Sequence, residues 1–251
     1  MVSPRKCATL LSLDCIKTLA DLPQPNRILY PTDWYPQSNA NQQAMTDAFV
    51  RKLEEYLGIT TTKLSVLKEW EKTAPAGTNS SLIDYLDMSA YAVNGFFGYH
   101  NFDDFRTGYL EKFGKKPYVS PSHTARWERN SKYTVEDKDL ALKKLQVFKK
   151  CGGDSGPDPK SYDEIFVTSI LGCPQLVVPI GQNSYDSDVS GLVEYAPIVT
   201  TLIGPSHSDK LLVEVASNTL KKAGWPSSVL TGRFMFEKGD NERNTAPREK
   251  L

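Results

Sequence analysis

Two short runs in the second half of the chain restrict its fold more than any other feature: "LGCPQLVVPIGQ" (171–182) and "YAPIVTTLIG" (195–204). Each gathers Val, Ile and Leu into a few positions bounded by glycine and proline, too few for a helix of ordinary length. Neither alternates polar with apolar residues, so both read as strands buried on both faces, as happens where helices cover each side of a sheet. Pro179 has no N–H to donate and is expected to end the pairing of the first run.

Earlier segments supply the helices and further strands. "NRILYP" (26–31) reads as a short buried strand and "TTKLSV" (61–66) as another. Between them Asn39 and Gln42 form a capping-box pattern, and Met45, Phe49, Leu53 and Tyr56 recur at helical spacing before Gly58. This strand–helix–strand rhythm indicates an α/β domain. Residues 80–150 read as mostly helical. Ser81 with Asp84 caps a stripe of Leu82, Leu86, Ala90, Val93 and Phe97, an aromatic-rich helix covers 101–113, and Thr134 with Asp137 caps a helix carrying Leu140, Ala141, Leu145 and Phe148. These stripes are expected to face a core. Ser206 and Asp209 are expected to cap a last helix presenting Leu211, Leu212, Val215, Ala216, Leu220 and Ala223, with Gly224 at its end. Leu10, Leu11, Leu13 and Ile16 suggest a further amphipathic helix at the start, and residues 237–251 have too little apolar surface to order themselves. Residues 1–236 therefore read as the folded portion and 237–251 as a disordered tail.

Charge and cysteine usage exclude several functions. Thirty basic residues balance thirty acidic ones among 251, which leaves no electrostatic footprint for nucleic acid or an anionic membrane. No apolar run approaches the roughly 18 residues of a membrane helix, and Ser12, Asp14 and Lys17 interrupt the opening apolar stretch that would otherwise resemble a signal peptide. Cys7, Cys15, Cys151 and Cys173 form no C-x-x-C pair, so reduced thiols and a cytoplasmic location are expected. The final "EKL" departs from a peroxisomal tripeptide because Glu249 replaces a small residue.

Motifs for catalysis are sparse. "GGDSG" (152–156) contains the string around the nucleophile of chymotrypsin-like proteases, but that chemistry needs a double β-barrel and a positioned histidine and aspartate. Pro157 breaks any G-x-S-x-G elbow at Ser155. Three scattered histidines give no metal pattern, and no phosphate-cradling glycine loop follows a strand. Ser155 reads as a loop serine, and neither a metal nor a cofactor is expected.

The segment 169–216 resembles the carboxy-terminal part of the amidase signature family. The resemblance rests on Gly172 and Pro174 before the first strand, Pro179 and Gly181 at its end, the second strand from Pro197 to Gly204, Asp209 at a helix start, and Leu211, Leu212 and Ala216 after it. "NRILYPTDWYPQSNANQQ" (26–43) is similar to the opening of the post-catalytic half in fungal amidase-like proteins, so the resemblance extends over most of residues 5–235. It implies one mixed sheet covered by helices on both faces and hydrolysis of carbon–nitrogen amide bonds by a lysine, a cis-peptide serine and a nucleophilic serine. All three precede the part matched, the lysine early and both serines in a glycine/serine-rich segment further on, and this chain has no G-S-S-G-type string. The resemblance therefore implies a carboxy-terminal half lacking its amino-terminal partner and inactive alone, with no catalytic residue of its own. Its alternative is a non-catalytic remnant that binds a protein or small molecule. Phe166, Thr168, Ser169 and Cys173, on the approach to the Gly172–Pro174 turn, are the residues implied to wall a small-molecule amide substrate. A sheet edge left without its neighbours is expected to promote self-association.

Overall fold

The computed structural model describes residues 25–150, 164–230, 232 and 234–237. The helix expected around Leu10–Ile16, the loop carrying Ser155 and the tail beyond Glu237 lie outside them. In chain order the described elements are β1 (Ile28–Pro31), α1 (Ala40–Leu57), β2 (Thr61–Leu64), α2 (Val66–Thr73), α3 (Leu82–Leu86), α4 (Ser89–His100), α5 (Asp103–Phe113), α6 (Pro121–Asn130), α7 (Val135–Lys150), α8 (Glu164–Leu171), β3 (Gln175–Asp186), β4 (Val193–Ile203) and α9 (Asp209–Ala223). The chain divides into two compact units. Unit 1 takes the sequence up to Leu64 and from Gly172 onward; unit 2 is Ser65–Leu171.

Local chemistry fixes the ends of α1. The Asn39 side chain accepts a hydrogen bond from the Gln42 N–H, satisfying a donor that the first turn leaves orphaned. Gly58 adopts φ 69° and returns its N–H to the Glu54 carbonyl, a left-handed stop that a Cβ would strain. The helix carries the chain between β1 and β2, which pair in parallel from Ile28 opposite Thr61 to Pro31 opposite Leu64.

β3 and β4 form an antiparallel hairpin of eleven paired positions, and the described strands make two separate two-stranded sheets. Pro179 does not end β3. It pairs with Val199, and the chain bulges at Ile180 before the ladder resumes with Gly181 opposite Ile198 and runs to Asp186. The bulge absorbs the missing donor. Gly181 also lies directly under Met45: a Cβ there would collide with the Met45 sulfur, so the P-x-G pattern marks a close approach of strand to helix. Gly204 plays the same part at the end of β4, where a Cβ would meet the Ser208 hydroxyl and Leu212.

The expectation of strands buried on both faces is corrected by the side chains. On the inner face Val178, Ile180 and Ile198 pack with Met45, Phe49, Ala216 and Leu220 into one core cluster. On the outer face, Val177 (53% exposed), Val199 and Ile203 face solvent. The Val/Ile-rich composition and the one-sided burial disagree, and the reason is concrete: α1 and α9 both lie on the inner face, sharing the cluster. A second cluster joins Leu53 with Leu211 and Val215. The cap of α9 differs as well. Ser208 occupies the N-cap without a side-chain bond, while Ser206 Oγ donates to the Gly172 carbonyl at 2.6 Å and ties the turn before β3 to the turn after β4.

In unit 2 the expected continuous stripe from Leu82 to Phe97 is split. Asp87 takes φ 42° and separates α3 from α4, although Leu82, Leu86 and Ala90 are all buried. The apolar spacing of four survives the break, which is why periodicity alone misses it. The expected strand 61–66 stops at Leu64, where Ser65 caps α2, whose Trp70 is buried beside Tyr85 and Phe148. Thr134 and Asp137 form a reciprocal capping box at the start of α7. The Thr134 hydroxyl accepts from the Asp137 N–H, and the Asp137 carboxylate accepts from the Thr134 N–H. The Thr134 N–H and the Thr134 hydroxyl both donate to the Asp137 carboxylate, and these two bonds hold its carboxyl below the usual range. Leu140 and α5 do not join the core: α5 buries no residue at all.

Candidate functional site

The four residues proposed to wall a substrate fall into different settings. Phe166, Thr168 and Ser169 sit on α8 in unit 2; Phe166 meets Tyr91 edge-on at 4.9 Å, Thr168 is buried and Ser169 is exposed. Cys173 is half-buried and belongs to unit 1, just past Gly172 with φ 70°. None of them lines either of the two cavities described next.

Unit 1 contains a small cavity of about 70 Å³ over Phe49 and Leu53, between β1 and Thr200–Leu202 of β4. At its rim Tyr30 donates its phenol proton to Asp47 Oδ1 at 3.0 Å, while Gln43 Nε2 donates to both the Tyr30 oxygen (2.9 Å) and Asp47 Oδ1 (2.8 Å). Burial is the main cause that pushes the Tyr30 phenol up to about 12, and the adjacent Asp47 charge adds to it. A phenol held protonated so firmly is a structural donor rather than a base at neutral pH.

Unit 2 holds the larger concavity, a groove of about 640 Å³ between α4, the start of α5 and α6. Its walls are aromatic: Phe102 and Trp127 lie 6.0 Å apart, and Phe105 is 50% exposed. Trp127 is braced from behind by Arg106, whose guanidinium stacks 3.7 Å from the Tyr99 ring centre and 4.8 Å from that of Trp127. Arg106 also donates to the Tyr99 carbonyl and pairs with Asp103. His100 Nδ1 bonds the other oxygen of Asp103 at 2.7 Å, and this bond, with the charges of His100 and Arg106, holds the Asp103 carboxyl below its usual range. The groove's polar lining is Asn94, His123, Arg126 and Asn130, and no acidic residue borders it.

A catalytic reading of the groove fails on geometry. Ser120 Oγ lies 2.9 Å from His123 Nδ1, yet both groups are exposed and Ser120 Oγ also contacts Ser122 Oγ at 3.1 Å. A general base needs an orienting partner on its far nitrogen, and among the described residues Ser120 alone bonds His123. Nor do three His, Cys, Asp or Glu side chains among the described residues converge as a metal site. No described helix is long and apolar enough to cross a membrane.

Sequence reasoning missed the groove because its residues come from three helices and two loops, and nothing in a single helical period announces that α5 stays uncovered. It also missed Gln182. This side chain is wholly buried in β3, where its Oε1 accepts from the Met235 and Phe236 N–H groups and its Nε2 donates to the Phe236 carbonyl. An isolated glutamine within an apolar strand run was the available signal.

No family model matches the chain, and no curated protein matches it. Among solved structures it is similar to a bacterial aryl acylamidase of the amidase signature family, with 15% identity and a TM-score of 0.49. That similarity covers 79% of this chain, which spans 44% of the acylamidase's length.

Proposed function

We propose that this chain supplies the carboxy-terminal half of an amidase-signature hydrolase acting on carbon–nitrogen amide bonds in the cytoplasm, its lysine, cis-peptide serine and nucleophilic serine lying on another segment. The carrying observation is the outer face of the β3–β4 hairpin. Val177, Val199 and Ile203 stand exposed on strands whose composition suits burial on both sides, so this face is made to be covered. The glycines and prolines behind the resemblance support the same reading through their structural work: Gly172 turns the chain, Gly181 admits Met45 and Gly204 admits Leu212. Phe166, Thr168, Ser169 and Cys173 remain the proposed substrate-walling residues.

The test is hydrolysis of nitroanilide amides by the purified chain, alone and co-expressed with the amino-terminal half of an amidase-signature enzyme. Alone, the chain should show no turnover, bind a hydrophobic dye and scatter light as an oligomer. Co-expression should suppress dye binding and self-association and bring hydrolysis. A monodisperse chain that binds no dye, or one that turns over amides by itself, refutes the proposal. A second reading, a non-catalytic binding protein, is favoured by the aromatic groove of unit 2, which is built without reference to any nucleophile.

A further inference from the structure

A polar side chain, Asn130, lines the unit 2 groove beside its aromatic walls. Asn130 is only 7% exposed and lies against α4. Room for it is made by two glycines of α4: a Cβ at Gly95 would stand 3.1 Å from Asn130 Oδ1, and one at Gly98 would stand 3.7 Å from Nδ2. Gly98 itself lines the groove, so the amide nitrogen lies at the groove wall.

Around this amide the chemistry is of one kind. Phe102, Phe105 and Trp127 offer flat apolar faces, and their rings are already partly exposed, so a planar ring entering between them releases water from apolar surface. Arg126 and His123 stand on the same side of α6 as Trp127 and Asn130, separated by three, four and seven positions from His123. Arg126 is exposed and makes no ion pair among the described residues. Asp103, the acid next to Phe102, is occupied by His100 and Arg106. A groove with cationic and amide donors, aromatic walls and no acid in its lining selects a flat apolar body carrying an anionic oxygen pair. Its volume of about 640 Å³ suits a ligand of one or two fused rings.

We infer that the groove between α4, α5 and α6 is a binding site for planar aromatic carboxylates, with Arg126 and the Asn130 amide receiving the carboxylate and Phe102, Phe105 and Trp127 holding the ring. This goes beyond the hydrolase reading and holds with or without it.

The probe is 2-naphthoate, titrated into the purified chain by calorimetry beside its neutral isostere 2-naphthamide. One equivalent of naphthoate should bind, about tenfold more tightly than the amide. Arg126→Gln, at an exposed position, should reduce naphthoate affinity about tenfold and leave naphthamide unchanged. Asn130→Asp, which keeps the shape and adds a repelling charge, should weaken naphthoate by more than that. Trp127→Phe should abolish the fluorescence quenching that naphthoate causes in the parent chain. Absence of saturable binding, equal affinity for the two probes, or an unaltered naphthoate affinity in Arg126→Gln overturns the assignment. Amide hydrolysis after co-expression with no naphthoate binding would sink this site and spare the hydrolase reading. Naphthoate binding without hydrolysis in any combination would do the reverse.

Discussion

Helices α5 and α9 carry nearly the same local instructions and have opposite fates. Each starts with aspartate in its first turn, each ends with lysine in its last, and each stops at a left-handed glycine, Gly114 at φ 65° and Gly224 at φ 68°. Both place apolar residues at helical spacing. Yet α9 buries Leu211, Leu212, Val215, Ala216, Thr219 and Leu220, whereas α5 buries nothing and stacks its aromatics on one another, Phe105 against Tyr109 and Tyr109 against Phe113 at 4.6 Å. Caps and charges at the ends establish a helix. What covers its face is decided by distant partners, here β3, β4 and α1 for α9.

The contrast can be attacked at its strongest point first. Leu220→Ala removes a side chain from the cluster formed with Phe49, Val178 and Ile198, and should cost about 2–5 kcal/mol in urea unfolding of the whole chain. A loss under about 1 kcal/mol would mean that α9 is no better packed than α5. Next in size is Gln182→Leu, similar in volume but unable to bond Met235 and Phe236; it should cost about 1–3 kcal/mol and raise amide exchange at those two residues. Unaltered exchange there would show that Phe236 is held by packing alone.

A smaller effect follows from pH. The Tyr30 phenol titrates near 12 in the folded chain against an ordinary value near 10. Since the folded value is the higher one, the stabilisation is complete below about pH 10 and fades as pH rises toward 12. Tyr30→Phe should therefore flatten the alkaline fall in melting temperature, and the 295 nm titration should lose its latest component. The smallest effect is expected on α5, where Phe113→Ala, at a position 52% exposed, should change stability by no more than about 0.5 kcal/mol. A larger loss would place an unrecognised partner on that face.

Much of the frame was legible because it is written in local chemistry. Asn39, Ser81 and Thr134 as caps and Gly58 and Gly224 as stops each act within one turn of their own positions, and the stripes Met45–Phe49–Leu53 and Leu211–Leu220 are buried as their spacing requires. The errors arise where the deciding partner is remote. The missing donor of Pro179 is visible in the sequence, whereas the bulge that accommodates it depends on β4. Exposure of the outer strand face and the uncovered aromatics of α5 depend on what another element does or fails to do. The Gly-x-Pro and Pro-x-Gly patterns were legible as scaffold, while no residue pattern disclosed a concavity assembled from three helices.

The insertion of unit 2 between Leu64 and Gly172 carries a consequence for the order of events in folding. Unit 2 is a continuous stretch, and α4 packs on α6 and α7 from nearby in sequence. Unit 1 must instead join α1 to β3 across the whole insertion, as the bond between Asn41 and Asn183, 142 positions apart, makes plain. Closing so long a loop costs entropy before any apolar contact is gained. During synthesis α1 emerges with its Met45–Phe49 face bare and must wait for β3, β4 and α9 to be translated. Chaperone dependence should accordingly track the length of that wait: a pause in translation within residues 65–171 lengthens the exposure of α1, while one after Ala223 does not.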